Sequence, residues 1–229
     1  MKLSILIPVY NEKNTIIDIL ERVKNSDIGD IAKEIIIVDD FSSDGTREIL
    51  EKINKEEIEV KFHKENKGKG FAIKTALKHA TGDIIIIQDA DFEYDPNDYR
   101  KLLLPILNNK SSVVYGSRFL GMNNFKLDRF YFGNKILSLI TYFLHFSIIS
   151  DMETCYKVFR KDVLKGMNIK SKSFALEPEI TSKILNRGYK IKEVPINYNP
   201  RTKKQGKKID SLDGLIAFWA LIRYRFSKD

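Results

Sequence analysis

Cysteine is all but missing: Cys155 stands alone in 229 residues, so no internal disulfide can form, and three histidines leave a zinc site short of suitably soft ligands. That composition suits a reducing, cytosolic setting. Long apolar runs are missing too. The longest, Ile136 to Ile149, is interrupted by Ser138, Thr141, His145 and Ser147 and falls short of the ~20 residues that cross a bilayer. The opening Met1-Lys2-Leu3-Ser4-Ile5 enters a strand pattern at once, with no small-residue cleavage site, so neither export nor a membrane span is expected. There is no internal repeat, no Gly/Ser linker and no low-complexity block, which removes support for independent domains.

What is present bounds the answer further. With 43% hydrophobic and 31% charged residues the chain can bury a sizeable core and stay soluble, which excludes a disordered or collagen-like polymer. Its length suits one domain with a small appendage: a body over 1–209 and a C-terminal amphipathic helix over 210–229. The formal charge of +8 points to an anionic partner, whether nucleic acid, a phosphorylated small molecule or an acidic lipid surface.

From Leu3 to Ser112 short β-branched runs alternate with helical periods, the pattern of βαβ units and a mostly parallel sheet flanked by helices, in other words an α/β fold. The spacing predicts strands at Leu3–Ile7, Glu34–Val38, Glu59–Phe62, Asp83–Ile87 and Ser112–Tyr115, the Ile-rich ones buried on both faces. Crossover helices follow from the faces Ile16/Ile19/Leu20/Val23, Thr46/Ile49/Leu50/Ile53 and Ile73/Ala76/Leu77/Ala80, and a fourth begins at Asp95-Pro96 and is kinked or cut short by Pro105. Further on come an apolar helix from about Asn134 to Ile148, a short strand at Tyr156–Phe159, a helix at Leu176–Asn186, a strand at Lys190–Tyr198, a basic loop and a terminal helix.

Open α/β sheets bind ligands outside the carboxyl ends of their strands, and these ends carry Pro8-Val9-Tyr10-Asn11-Glu12, Asp39-Asp40-Phe41-Ser42-Ser43-Asp44-Gly45 and Gln88-Asp89-Ala90-Asp91. In an extended chain Asp89 and Asp91, two apart, leave the same side and can share one hard cation, Mg²⁺ or Mn²⁺, which keeps positions open for phosphate oxygens; in isolation the same pair can merely cap a turn. Asp44 is assigned to a helix cap, leaving Asp39 or Asp40 to accept hydrogen bonds from a ribose or base edge. Lys67-Gly68-Lys69-Gly70 opens a helix and can approach a phosphate through backbone amides and lysine charge, but it lacks the spacing of a P-loop or dinucleotide fingerprint, so a plain loop ranks ahead of that reading.

Taken together, Ile7-Pro8-Val9-Tyr10-Asn11-Glu12, Val38-Asp39-Asp40 with Ser42, Asp44, Gly45 and Thr46, Asn66-Lys67-Gly68-Lys69-Gly70 and Asp89-Ala90-Asp91 resemble, in order and spacing, the family 2 glycosyltransferases of GT-A fold, a Rossmann-like architecture. Gly116-Ser117-Arg118, Asp151 to Phe159, Glu177-Pro178-Glu179-Ile180 and Pro200-Arg201-Thr202 with Gly206-Lys207-Lys208-Ile209 resemble, more narrowly, dolichyl-phosphate mannose synthases and related polyprenyl-phosphate glycosyltransferases. The resemblance implies that Pro8, Tyr10, Glu12 and Asp39, with Asp40, Lys69 and Asp89 beside them, bind the donor nucleotide. It implies metal ligation by Asp89 and Asp91, with Glu93 as third ligand where many mannose synthases carry Gln. Arg118, Arg129 and Arg201 would meet phosphates of donor or acceptor, Lys208 closing a basic loop over the diphosphate.

The reaction so implied moves a mannose- or glucose-type hexosyl unit, with inversion, from a GDP- or UDP-linked sugar to dolichyl or polyprenyl phosphate. A phosphate monoester is already an anionic nucleophile at neutral pH, its second pKa being about 6. Of the candidate catalytic residues Asp91, Arg118, Asp151 and Arg201, then, Asp151 is a base, an orienting group or a local cap, the base role ranking last. A lipid phosphate acceptor places the enzyme peripherally on the cytoplasmic side of a membrane. Leu215, Ile216, Phe218 and Trp219 followed by Arg223 and Arg225 suit a headgroup interface, with an anchoring partner or a homo-oligomer as additional supports. Two alternatives stand beside this: a family 2 transferase acting on a sugar or protein hydroxyl, and a non-catalytic anion- or nucleic-acid-binding module. An acidic sheet edge is poorly suited to the latter, so no nucleic-acid partner is expected.

Overall fold

The Ile-rich runs form the centre of a sheet in the computed structural model, which describes residues 1–53, 56–120, 129–173, 175–201 and 211–227. Strand β1 (Lys2–Val9) pairs in parallel with β2 (Ala32–Asp39) on one side and β4 (Ile84–Ile87) on the other, and β2 pairs in parallel with β3 (Ile58–Phe62). All four isoleucines of β4 are buried, as strands covered on both faces require. Strand β6 (Lys157–Arg160) runs antiparallel between β4 and β5 (Val113–Ser117), and β7 (Ile191–Pro195) closes the far edge in parallel with β5. The order is therefore β3-β2-β1-β4-β6-β5-β7, mostly parallel as expected, with β6 as the reversed strand.

Helices cover the sheet. In α1 (Ile16–Asn25) the buried face is Ile16, Ile19, Leu20 and Val23, the stripe read from the sequence. After the short α2 (Thr46–Leu50) comes α3 (Lys69–His79), which buries Ala72, Ile73 and Ala76. Asp95 accepts the Asn97 N–H and Pro96 opens a 3₁₀ turn that runs into α4 (Tyr99–Leu107), which stops two residues past Pro105. Helix α6 (Lys161–Leu164) is a single turn, whereas α7 (Leu176–Asn186) is nearly enclosed.

Helix α5 spans Arg129–His145 and starts earlier than its apolar run, which ends in loop where Phe146 takes a left-handed φ of 54°. It packs against α8 (Ser211–Arg225), and Arg225 Nε donates to the Leu144 carbonyl at 2.6 Å. Its amphipathicity is inverted: Asn134, Ser138 and Thr141 are buried, while Phe132, Ile136, Leu139, Tyr142 and Phe143 face out.

Candidate active site

Strand order reverses at β1: the chain steps outward to β2 and β3 on one side and to β4 on the other. The crevice beyond the carboxyl ends of β1 and β4 is thus a topological switch point, where such sheets take ligands. Here Glu12, Asp89, Asp91 and Glu93 gather, and cations from distant parts of the chain meet them.

Arg201 enters this acidic group. Its guanidinium pairs with Asp91 and with Glu12 at 3.1 Å and approaches Glu93 at 3.9 Å, while its backbone N–H donates to Glu93 Oε1 at 2.7 Å. Lys69, at the start of α3, lies 2.8 Å from Asp89, 3.1 Å from Glu177 of α7 and 3.6 Å from the Cys155 Sγ. Burial pushes the Asp91 carboxyl up to about 7, assisted by the charges of Asp89 and Glu93 and opposed by Arg201. Asp89 goes the other way: burial raises it, but the Lys69 ammonium and its hydrogen bond prevail and hold it below the usual carboxylate range.

The shared metal triad expected of Asp89, Asp91 and Glu93 is not assembled. Among the described residues no three or more His, Cys, Asp or Glu side chains are grouped to hold a metal. The chain bends from Ala90 onward, so the same-side rule for an extended strand lapses and the two aspartates turn to different cations. The donor set still fits a hard divalent ion: these are oxygen ligands, and Asp89 and Asp91 are near enough for one to raise the other's pKa. Lys69 and Arg201 supply the positive charge that the carboxylates demand.

Arg118, at the end of β5, forms a fork on Asp151. Nε and Nη2 each donate to one carboxylate oxygen at 2.7 Å, the Arg118 N–H adds a third bond at 2.9 Å, and Asn134 donates from 3.2 Å. Asp151 is fully enclosed. Its oxygens accept from Arg118 and Asn134, an arrangement that suits the orienting role among the three expected of it. Beside it Glu153 is pushed up to about 8 by burial first, then by Glu177 and Asp151, against Lys157 and Arg118. Among the described residues its Oε1 has no hydrogen-bond partner.

Two of the expected nucleotide contacts have partners within the fold. Asp40 is buried, pairing with His63 Nδ1 at 2.6 Å and accepting the Lys67 and Gly68 N–H groups at 2.9 and 2.6 Å. Asp39 is enclosed as well, accepting from the Ser42 N–H at 3.2 Å and lying 3.4 Å from Arg47. Asp44 performs its expected cap, accepting the Thr46 N–H at 3.0 Å although Gly45 holds the formal cap position, and it also accepts from Lys13 N.

Gly68 and Gly70 likewise have a packing reason. A Cβ on Gly70 would sit 1.9 Å from the Ser171 carbonyl oxygen and one on Gly68 2.2 Å from that of Lys172. Glu179 fixes this opposing segment by accepting the Lys170 and Ser171 N–H groups at 2.9 and 2.7 Å. The close approach sets Lys69 between Asp89 and Glu177. Pro8 lies within β1 and Tyr10 just beyond it, at the same edge. Arg129 opens α5, but its side chain, like the whole of Lys208, lies outside the described residues.

Sequence reasoning missed Glu177 as the second partner of Lys69, and it missed the aromatic floor. Tyr94 packs, with tilted rings, at 4.8 Å from Tyr156 and 5.3 Å from Tyr198, and the Arg118 guanidinium lies 5.1 Å over the Tyr198 ring. The Glu177-Pro178-Glu179-Ile180 motif was the available signal for the first; nothing local marks the tyrosines.

The doubly wound sheet with carboxylates and long cations at its switch point has the GT-A fold. The model of "Glycosyl transferase family 2" matches residues 4–167, and the chain belongs to that family. Among its relatives, a dolichol-phosphate mannosyltransferase of Pyrococcus furiosus is 28% identical over 90% of this chain and 59% of its own length. A UDP-N-acetylglucosamine–dolichyl-phosphate N-acetylglucosaminyltransferase of Methanococcus voltae is 29% identical over 98% and 96%. In fold the chain is similar to the glucosyl-3-phosphoglycerate synthase of Mycobacterium tuberculosis, solved with Mn²⁺, UDP and phosphoglyceric acid: TM-score 0.74, 16% identity, 100% of this chain and 80% of the other.

Proposed function

We propose that this family 2 glycosyltransferase inverts a hexosyl unit from a nucleotide diphosphate sugar onto a polyprenyl phosphate at a membrane surface. The observation that carries this is the meeting of Asp89 and Asp91 with Lys69 and Arg201 in the crevice between β1 and β4. It joins hard ligands for a cation to cations for phosphate.

In this reading a phosphate oxygen of the acceptor bonds to the anomeric carbon from the face opposite the donor diphosphate. The carbon–oxygen bond to the diphosphate breaks, and the nucleoside diphosphate leaves with the electron pair. Arg118, oriented by Asp151, and Arg201 bind phosphate oxygens, and Lys69 sets the Asp89 carboxylate. Asp89 and Asp91, with Glu93 in reach, would hold Mg²⁺ or Mn²⁺, which when bound would supply charge neutralisation for the diphosphate. The acceptor phosphate is anionic at neutral pH, so no side chain has to take a proton.

The inverted helix α5 supports the lipid half. Phe143 is 66% exposed and, on the adjoining α8, Trp219 is 65% exposed, with Arg223 one turn on. Such a surface suits a headgroup interface, and no helix among the described residues is long and apolar enough to cross a membrane. The P. furiosus and M. voltae relatives carry dolichol-phosphate or dolichyl-phosphate in their names, in keeping with this acceptor class.

A hydroxyl acceptor is the second reading, and Glu153 is the observation that favours it. Burial pushes its carboxyl up to about 8, so that once ionised it is a stronger base than an ordinary carboxylate, and among the described residues its Oε1 has no hydrogen-bond partner. The test is a panel of GDP- and UDP-sugars with Mg²⁺ or Mn²⁺ and a short polyprenyl phosphate in detergent, wild type against Asp89→Ala. Transfer from one donor, lost in the variant, is expected. Nucleotide binding with no lipid product, joined by Glu153-dependent transfer to a hydroxyl, moves the acceptor; no donor turnover at all rejects the reading.

A further inference from the structure

Phe41 is a bulky residue in a backbone conformation that disfavours it. Its φ is +67°, in the left-handed region, and yet the side chain is 46% exposed, so no core packing compensates. Left-handed bulky residues with no local packing reason concentrate at functional sites. Phe41 sits at one: it follows Asp39 and Asp40 at the carboxyl end of β2, beside the end of β1.

The two strand ends are stitched together. Asp40 N–H donates to the Val9 carbonyl at 2.8 Å, Asn11 N–H to Ser42 Oγ at 2.9 Å and Ser43 N–H to Asn11 Oδ1 at 2.8 Å; Asn11 is itself left-handed at +56°. Tyr10, 39% exposed, thus emerges from the loop bonded directly to the one carrying Phe41. Two partly exposed rings rise from adjoining loops at the carboxyl ends of β1 and β2. Arg47 lies 5.9 Å from the Phe41 ring centroid, 4.9 Å from that of Phe62 and 3.4 Å from the Asp39 carboxylate. The cation backs the Phe41 ring and covers the enclosed aspartate at once.

We infer that the donor's nucleobase is held by stacking on Phe41, with Tyr10 as the neighbouring ring, and not by hydrogen bonds from its edge to Asp39. The inference rests on the nucleotide-sugar reading given above and names the group that recognises the base. Asp39 offers no accessible oxygen, being enclosed and committed to Ser42 and Arg47, whereas an aromatic ring meets the flat face that every nucleobase presents. Recognition by stacking is tolerant of base identity, so purine and pyrimidine nucleotides depend on Phe41 alike.

The test is Phe41→Gly in the full chain. Glycine accepts the left-handed φ at no steric cost, so this variant folds with thermal stability equal to or above wild type while the ring is gone. Affinities for UDP, GDP and inorganic pyrophosphate, each with Mg²⁺, are measured by calorimetry, with Phe41→Tyr alongside. The expected result is a loss of about tenfold or more for both UDP and GDP, no change for pyrophosphate, and retention in Phe41→Tyr. Wild-type affinity for UDP and GDP in Phe41→Gly overturns the inference, and so does an equal loss for pyrophosphate, which would mean that the ring acts through the loop. A loss confined to one nucleotide overturns the claim of base tolerance. Failure of folded wild type to bind either nucleotide fells the nucleotide-sugar reading and this inference with it.

Discussion

Substituting Asp151 by asparagine separates a base from an orienting group. The change keeps the shape and removes the charge, leaving the Arg118 guanidinium, whose side chain is only 14% exposed, without its counter-ion. Three of the four hydrogen bonds to the carboxylate come from Arg118, two of them at 2.7 Å, so an amide can replace at most part of the set. Breaking a buried pair in this way costs about 3–5 kcal/mol. For a chain of this size each kcal/mol shifts Tm by about 2–4 °C, so Asp151→Asn should melt about 6–20 °C lower. Circular dichroism on Asp151→Asn, Arg118→Met and the double variant measures it, and the double variant should lose less than the sum of the singles because the second change removes the orphaned charge. Turnover with polyprenyl phosphate should fall in step with the misplacement of Arg118 but persist. An unchanged Tm together with abolished turnover would refute the orienting role and restore Asp151 as the base.

Arg201→Gln should bind Mn²⁺ more tightly in the absence of nucleotide, by about tenfold or more, since one opposing charge near a protein surface contributes about 4 kcal/mol at about 4 Å; electron paramagnetic resonance titration reads it, and unchanged affinity refutes the competition between guanidinium and metal ion. Far from the site, burial opposes ionisation of Glu34, but hydrogen bonds from Lys2, Ser4 and Thr81 prevail and hold its carboxyl at about 2. A depressed carboxyl stabilises the fold above its ordinary pKa of 4.5 and loses that contribution as pH falls towards 2. Glu34→Gln should therefore cost about 1–2 kcal/mol at pH 7 after allowance for solvent screening, with the gap to wild type closing between pH 4.5 and 2 in urea titrations; a gap independent of pH refutes the linkage. Phe143→Ser with Trp219→Ser should reduce co-sedimentation with anionic vesicles several-fold while leaving Tm nearly unchanged, both side chains being mostly exposed; equal sedimentation refutes the lipid-facing role.

The sheet was legible because its signal is local. Four consecutive isoleucines at 84–87 need cover on both faces wherever the strand lies, and the stripe Ile16, Ile19, Leu20, Val23 has one buried side in any helix. The strand-end residues were legible because a doubly wound sheet directs them all to one edge. Side-chain direction past the strand was not: Asp89 and Asp91 were expected on one side, and the bend at Ala90 turned them towards Lys69 and Arg201. Gly68 and Gly70 read as a plain loop ahead of a phosphate cradle, and no local signal showed that the carbonyls of Ser171 and Lys172, about a hundred residues away, leave no room for a Cβ at either position.

Helix α5 draws the same line within a single element. Its composition shows one small polar face and a broad apolar one; that the polar face points inward follows only from Asn134 meeting Asp151. By itself, then, the sequence determined the α/β class, the strand positions, the family and the edge at which chemistry gathers, because periodicity and short motifs depend on neighbours a few residues apart. Tertiary structure alone decided which charge opposes which: Arg201 reaches Glu12 across 189 positions and Lys69 reaches Glu177 across 108. Coulomb energy and desolvation depend on distance in space and on exclusion of water, and neither quantity exists until the chain has closed around the site.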